Sequence, residues 1–184
     1  MRDIKATFVA FDREITSLEW MRIATLIDSE GCIKLRSAKP TKTSGSKSPV
    51  YILEVQVANS DPRMVMWCKA VFGGKVMRRK QASTKHKTMY GWTAFSRRAF
   101  AIITGCMDYM LIKREQAEVA VAFMGTVRTR GGWGKTTLTP EVIAEREALK
   151  LRMTELKHIE QPAPEGLIDW EDPEKRVTFG KQVQ

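Results

Sequence analysis

The 184-residue chain has few of the residues from which most metal and nucleophile sites are built. There are two histidines, His86 and His158, and three cysteines, Cys32, Cys68 and Cys106, none in Cys-x-x-Cys spacing. An odd, scattered set of cysteines argues against a disulfide framework or a zinc site and leaves them as small buried residues. Two histidines give little scope for a His-based metal nuclease, and no Ser-His-Asp constellation stands out. Long hydrophobic runs are missing too. The apolar stretch 6–11 is too short, and too soon followed by charges, for a signal peptide, and nothing approaches membrane-spanning length. The expectation is a soluble intracellular protein, in the cytoplasm, the nucleoid or an organelle matrix, with no membrane partner. GGWGKTT (131–137) is not a phosphate-binding loop, because the pattern needs glycine five residues before Gly134 and position 129 is Thr.

Acidic residues are scarce where basic ones are abundant. The net charge is +10, from 31 Lys and Arg against 21 Asp and Glu. Between Gly31 and Arg98 stand fifteen Lys or Arg against only Glu54 and Asp61, a net +13, whereas the last 23 residues net −2. Such an excess favours a polyanionic partner and says nothing about fold. The length fits a single domain over 1–160, with a loosely ordered tail over 161–184.

The elements follow from period and punctuation. Thr16 and Glu19 form a capping box that opens a helix running to about 28 and stopping at Gly31. Alternation then takes over, with Ile33 and Leu35 on one side and Lys34 and Arg36 on the other. After a flexible connection over 40–49, a second strand covers 51–58 with Leu53, Val55 and Val57 inward. Asp61 and Pro62 start a helix ended by Gly73 and Gly74. Strands over 75–81 and 88–95 make a second hairpin, followed by a short helix from Arg97 to near Gly105 and a longer one over 108–124. A Gly-rich loop covers 125–139, and a last helix spans about 140–160 with an apolar stripe at Val142, Leu149, Met153 and Leu156, read as packing on its own domain. The order predicts an α+β fold: one four-stranded antiparallel sheet, helices on one face, the other face open and basic.

The first helix ends on Asp28, Ser29, Glu30 and Gly31, two carboxylates where the macrodipole already concentrates negative charge, at a cost of roughly 0.3–1 kcal/mol each. Such an end needs compensation, and a divalent cation held by carboxylate and backbone carbonyl oxygens would supply it; simple solvent exposure is the alternative.

Residues 23–31, Ile-Ala-Thr-Leu-Ile-Asp-Ser-Glu-Gly, resemble the nine positions of the LAGLIDADG motif of homing endonucleases. VQVANSD, FGGKV, YGW and YMLIKREQAEVAVAF follow in that family's order, so the resemblance covers about 17–124. It implies the αββαββα fold of that family, with the helix near 140–160 as an addition. It also implies a site-specific double-stranded DNA endonuclease that uses Mg²⁺, with Mn²⁺ able to substitute. One motif per chain implies a homodimer on a long pseudo-palindromic site, leaving short 3′ overhangs.

By the same resemblance Glu30 is the metal-binding acid and the Ser29 carbonyl a second ligand. Thr25 stands where the family usually has glycine, and Ala24, Thr25, Ile27 and Asp28 are expected at the dimer interface. Lys113 resembles the active-site lysine, although a lysine beside Arg114 and Glu115 is otherwise read as a solvated helix face. Asn59 sits where a polar residue orders solvent near the scissile phosphate. DNA contact falls to the outward sheet positions Lys34, Arg36, Ala38, Ile52, Glu54, Gln56, Met77, Arg79 and Gln81, where Gln and Arg suit adenine and guanine and Glu suits cytosine. A non-catalytic DNA-binding regulator and an intron-RNA maturase on the same fold remain as alternatives; the acid at Glu30 speaks against the first.

Overall fold

The computed structural model describes residues 11–40, 48–79, 87–127 and 137–159. The elements are α1 (Ser17–Glu30), β1 (Gly31–Ala38), β2 (Val50–Asn59), α2 (Pro62–Phe72), β3 (Lys75–Arg78), β4 (Tyr90–Phe95), α3 (Ser96–Cys106), α4 (Arg114–Gly125) and α5 (Pro140–Glu155). The expected α+β architecture is present: four antiparallel strands in the order β1-β2-β4-β3. After β2 the chain passes through α2 to the far edge and returns, so β4 fills the place beside β2.

Local chemistry sets the helix starts. At α1 the Thr16 hydroxyl accepts the Glu19 N–H while Glu19 reaches back to the Thr16 N–H, the expected capping box. Asp61 caps α2 with Pro62 at its first turn, and Thr139 with Pro140 repeats the device at α5. Gly73 and Gly74 leave α2 at φ +68° and +87°, a left-handed exit that side chains disfavour.

Alternation along β1 and β2 buries Ile33, Leu35, Leu53, Val55 and Val57 under the helices. On β4 the inward residue is Trp92, fully buried, whose indole N–H donates to the Gly73 carbonyl at 2.6 Å. Phe11, Trp20, Trp67 and Phe72 gather beside it with ring centroids 5.3–6.5 Å apart. α5 closes the other end of the inner face on its own domain: Met153 is buried, and Arg146 packs between Tyr51 and Phe123 while donating to the hydroxyl and carbonyl of Thr126.

Two expectations about boundaries change. The second hairpin is shorter than 75–81 and 88–95, with β3 ending at Arg78 and β4 starting at Tyr90. The helix expected over 108–124 begins only at Arg114; before it lie a 3₁₀ turn, Met107–Tyr109, and an irregular stretch over 110–113. Most of the 40–49 connection, most of the hairpin tip, most of the Gly-rich loop with GGWGKTT, and the tail over 161–184 lie outside the described residues. Among the described residues no helix is long and apolar enough to cross a membrane.

Candidate functional site

The helix carrying the motif has an inner and an outer face. Ile23, Ala24 and Ile27 are fully buried in the chain's own core against the sheet and α3. This corrects the expectation that Ala24 and Ile27 lie at a surface open to a second chain: at 23, 24 and 27 they share one stripe of a 3.6-residue period, and that stripe is used up within the fold. The outer stripe is Leu18, Met21, Thr25 and Ser29, with Leu18 63% and Met21 42% exposed. Thr25 is on this face, but its hydroxyl donates to the Met21 carbonyl at 3.0 Å, and the Ser29 hydroxyl donates to the Thr25 carbonyl at 2.8 Å. Both hydroxyls are spent inside the helix, so Thr25 turns its methyl outward.

At the end of α1 the helix passes into β1 without a loop. The Gly31 N–H donates to the Ile27 carbonyl, and a Cβ on Gly31 would lie 2.6 Å from the Ile27 Cα, so only glycine fits this junction. Glu30 is the last helical residue and is exposed. The last turn holds no basic residue of its own, yet it is not left uncompensated. Lys113, 86 positions away, donates its ammonium to the Ile27 carbonyl at 2.8 Å and to the Asp28 carbonyl, which places a cation on the negative pole of the helix.

Asp28 is not on the outer stripe either. Its Oδ2 accepts the N–H of Leu111 at 2.7 Å and of Ile112 at 3.3 Å, and Oδ1 accepts that of Lys113 at 2.9 Å. These bonds hold 111–113 in a turn and explain why the helix starts late. Lys113 is therefore at the N-cap of α4 rather than on a solvated helix face.

Asn59 ends β2, two residues beyond Val57, the partner of Gly31. Its register puts it beside the junction of α1 and β1. Its side-chain oxygen accepts the Asp61 N–H at 2.8 Å and so shapes the turn into α2.

The other sheet face carries a polar row across three strands. Lys34 donates to Gln56 Oε1 at 3.1 Å, and Gln56 Nε2 donates to Thr93 on β4 at 3.4 Å. Arg36 and Ala38 are exposed, Ile52 is half-buried, and Met77 and Arg79 are exposed on and just beyond β3; Gln81 lies outside the described residues. The outward facing of β3 follows from its pairing: Val76 opposes inward Trp92, and Met77 opposes Gly91, over which the Arg79 guanidinium lies. Glu54 is a correction to the idea of an open acceptor. It is only 5% exposed, with Arg36 Nε 2.8 Å from Oε2 as an ion pair out of line for a hydrogen bond, so its carboxylate is turned to its neighbour rather than to an incoming base. Lys75 and Thr93 share this face and were not singled out. Lys75 was available from the same alternation, two residues before Met77; Thr93 required the β2–β4 register.

No family model and no curated protein matches the chain. Solved structures do. The homing endonuclease I-CvuI, in complex with its target, superposes with a TM-score of 0.61 at 16% identity, over 80% of this chain and 87% of that one. The archaeal intron-encoded homing endonuclease I-Vdi141I, complexed with DNA, gives 0.59 at 10% identity over 80% and 87%. The LAGLIDADG homing endonuclease I-LtrWI gives 0.57 at 19% identity, over 77% of this chain but 46% of its own. This chain has the LAGLIDADG homing endonuclease fold.

In this homing endonuclease fold the oxygen donors at the end of α1 are the Glu30 carboxylate and the Ser29 carbonyl, which neither the Gly31 N–H nor Lys113 occupies. An all-oxygen set of this kind suits a hard divalent cation. It is also incomplete, since the described residues contain no group of three or more His, Cys, Asp or Glu able to hold a metal. The cysteines take no part. Burial pushes the Cys68 and Cys106 thiols up to about 12, which keeps them inert, while half-buried Cys32 faces the open side of β1.

Proposed function

We propose that this chain is a site-specific double-stranded DNA endonuclease that hydrolyses phosphodiester bonds with Mg²⁺, Mn²⁺ being able to substitute, and that it acts as a homodimer. The observation that carries the proposal is the end of α1, where an exposed carboxylate, Glu30, shares its turn with the Lys113 ammonium. Glu30 and the Ser29 carbonyl would hold the cation. When bound, it supplies Lewis-acid charge to the phosphate and lowers the pKa of a bound water.

The chain's own residues do the rest. Two of the three Lys113 N–H groups are taken by the Ile27 and Asp28 carbonyls, which leaves one to face the negative charge that builds on the phosphorus oxygens. Asn59 keeps its NH₂ group for a solvent molecule beside the junction. Lys34, Arg36, Gln56, Lys75, Met77 and Arg79 line the face that would lie in the major groove, with part of the cation set holding phosphates only. That I-CvuI and I-Vdi141I are described bound to DNA, the former also in the presence of calcium, supports this assignment.

The two-chain reading rests on the single Glu30 and on apolar surface around it. Leu18 and Met21 on α1, with Leu111 and Ile112 at 91% and 73% exposure, form a set of large side chains that a second copy would cover. With one acid per chain, each protomer addresses one strand.

The test is selection of cleaved duplexes from a random library with Mg²⁺, followed by Glu30→Gln. The variant is expected to bind the selected duplex and not cut it; undiminished cutting overturns the mechanism.

A further inference from the structure

We propose that Asp28 is a positioning residue for Lys113: its carboxylate builds the turn over 111–113 and thereby sets the lysine ammonium on the end of α1. The catalytic arm of this inference rests on the endonuclease reading above; the conformational arm does not.

The contacts between the two residues run both ways. The Asp28 side chain accepts from the Lys113 N–H, and the Lys113 side chain donates to the Asp28 backbone carbonyl. Two further N–H groups, of Leu111 and Ile112, converge on Oδ2. A carboxylate accepting three backbone N–H groups is a strong local organiser, because each bond is charge-assisted and each donor would otherwise lie outside any helix or strand ladder.

Apolar packing does not hold this stretch. Leu111 and Ile112 project into solvent, and Met110, buried on the preceding side, is the nearest apolar anchor. Lys113 itself sits at φ −104°, ψ 18°, between the broad allowed basins, and has no side-chain cap on α4. With neither burial nor a helix to place the lysine backbone, the Asp28 carboxylate does it. This also explains why an acid is kept at a helix C-terminus that disfavours one: its charge is directed sideways onto N–H dipoles.

The experiment is a double-mutant cycle with hydrogen exchange as a second readout. Asp28→Asn keeps the side-chain shape but replaces one acceptor oxygen with a donor that opposes an N–H. In the full chain it is expected to accelerate exchange of the 111–113 amides at least tenfold and to lower the single-turnover cleavage rate at least tenfold, with DNA affinity within twofold. In a Lys113→Ala background the same substitution should change the rate less than twofold, since the group it positions is gone, while still accelerating amide exchange. An equal loss of rate in both backgrounds, or unchanged exchange at 111–113, overturns the proposal. If Asp28→Asn does not fold, Asp28→Glu, with two acceptors on a longer arm, carries the same cycle. A wild-type chain that cuts no duplex defeats the endonuclease reading alone, and the exchange measurement still decides whether Asp28 holds the turn.

Discussion

The Lys34 ammonium donates to the Gln56 side-chain oxygen at 3.1 Å, and this one contact fixes which way the Gln56 amide faces. With Nε2 directed to Thr93, the three residues form a row across β1, β2 and β4 instead of three independent side chains.

If that row reads DNA, Gln56→Ala should relax discrimination at one base-pair position by about 1–3 kcal/mol with little loss at the others. Lys34→Ala should weaken binding and lower the salt dependence of affinity by about one unit if the lysine also meets phosphate. Affinities for a panel of point-variant duplexes at several salt concentrations separate the two. A Gln56→Ala chain with unchanged discrimination would remove the row from the recognition surface.

Exposure on α1 makes a prediction about assembly. Met21→Glu and Leu18→Glu alter side chains that the single chain leaves open, so both should leave the folded protomer intact while shifting sedimentation from dimer to monomer. Ala24→Leu should behave differently, because Ala24 is enclosed in the core and overpacking there costs about 1–3 kcal/mol of fold stability.

Arg146 joins α5 to the sheet. It is almost fully buried, 5.6 Å from the ring centres of both Tyr51 and Phe123, with two 2.9 Å bonds to Thr126. Arg146→Ala should cost about 2 kcal/mol in chemical denaturation, and Arg146→Lys should recover little of it, since an ammonium lacks the flat, forked guanidinium.

The capping box gives a pH signature. Hydrogen bonds from Arg13 and then from the Thr16 N–H hold Glu19 down at about 2, against an ordinary 4.5. A depressed carboxylate stabilises the fold above its unfolded value and loses that contribution as pH falls through its folded one. The difference in unfolding midpoint between the natural chain and Glu19→Gln should therefore be full above pH 5 and close between about 4.5 and 2.

Much of this protein is set by short-range sequence. The Thr16–Glu19 box, the Asp61–Pro62 start and the alternation of Ile33, Leu35, Leu53, Val55 and Val57 are local steric and hydrogen-bonding facts, so element order and the inward face of the sheet follow from reading the chain. The outward facing of Met77 and Arg79 follows in the same way. Period alone identifies the two faces of α1 but does not say which one the protomer keeps. Ala24 and Ile27 were assigned outward because small and apolar residues suit a helix pair equally well; the sheet and α3 claimed them first. Glu54 alternates outward, yet Arg36 beside it encloses its carboxylate.

The largest gap lies at the end of α1. Its acidic sequence showed that a positive partner was needed. Only the tertiary structure decided that Lys113 supplies part of that charge and that Asp28 turns to three backbone N–H groups, because these partners lie some 85 residues apart and no periodicity spans that distance.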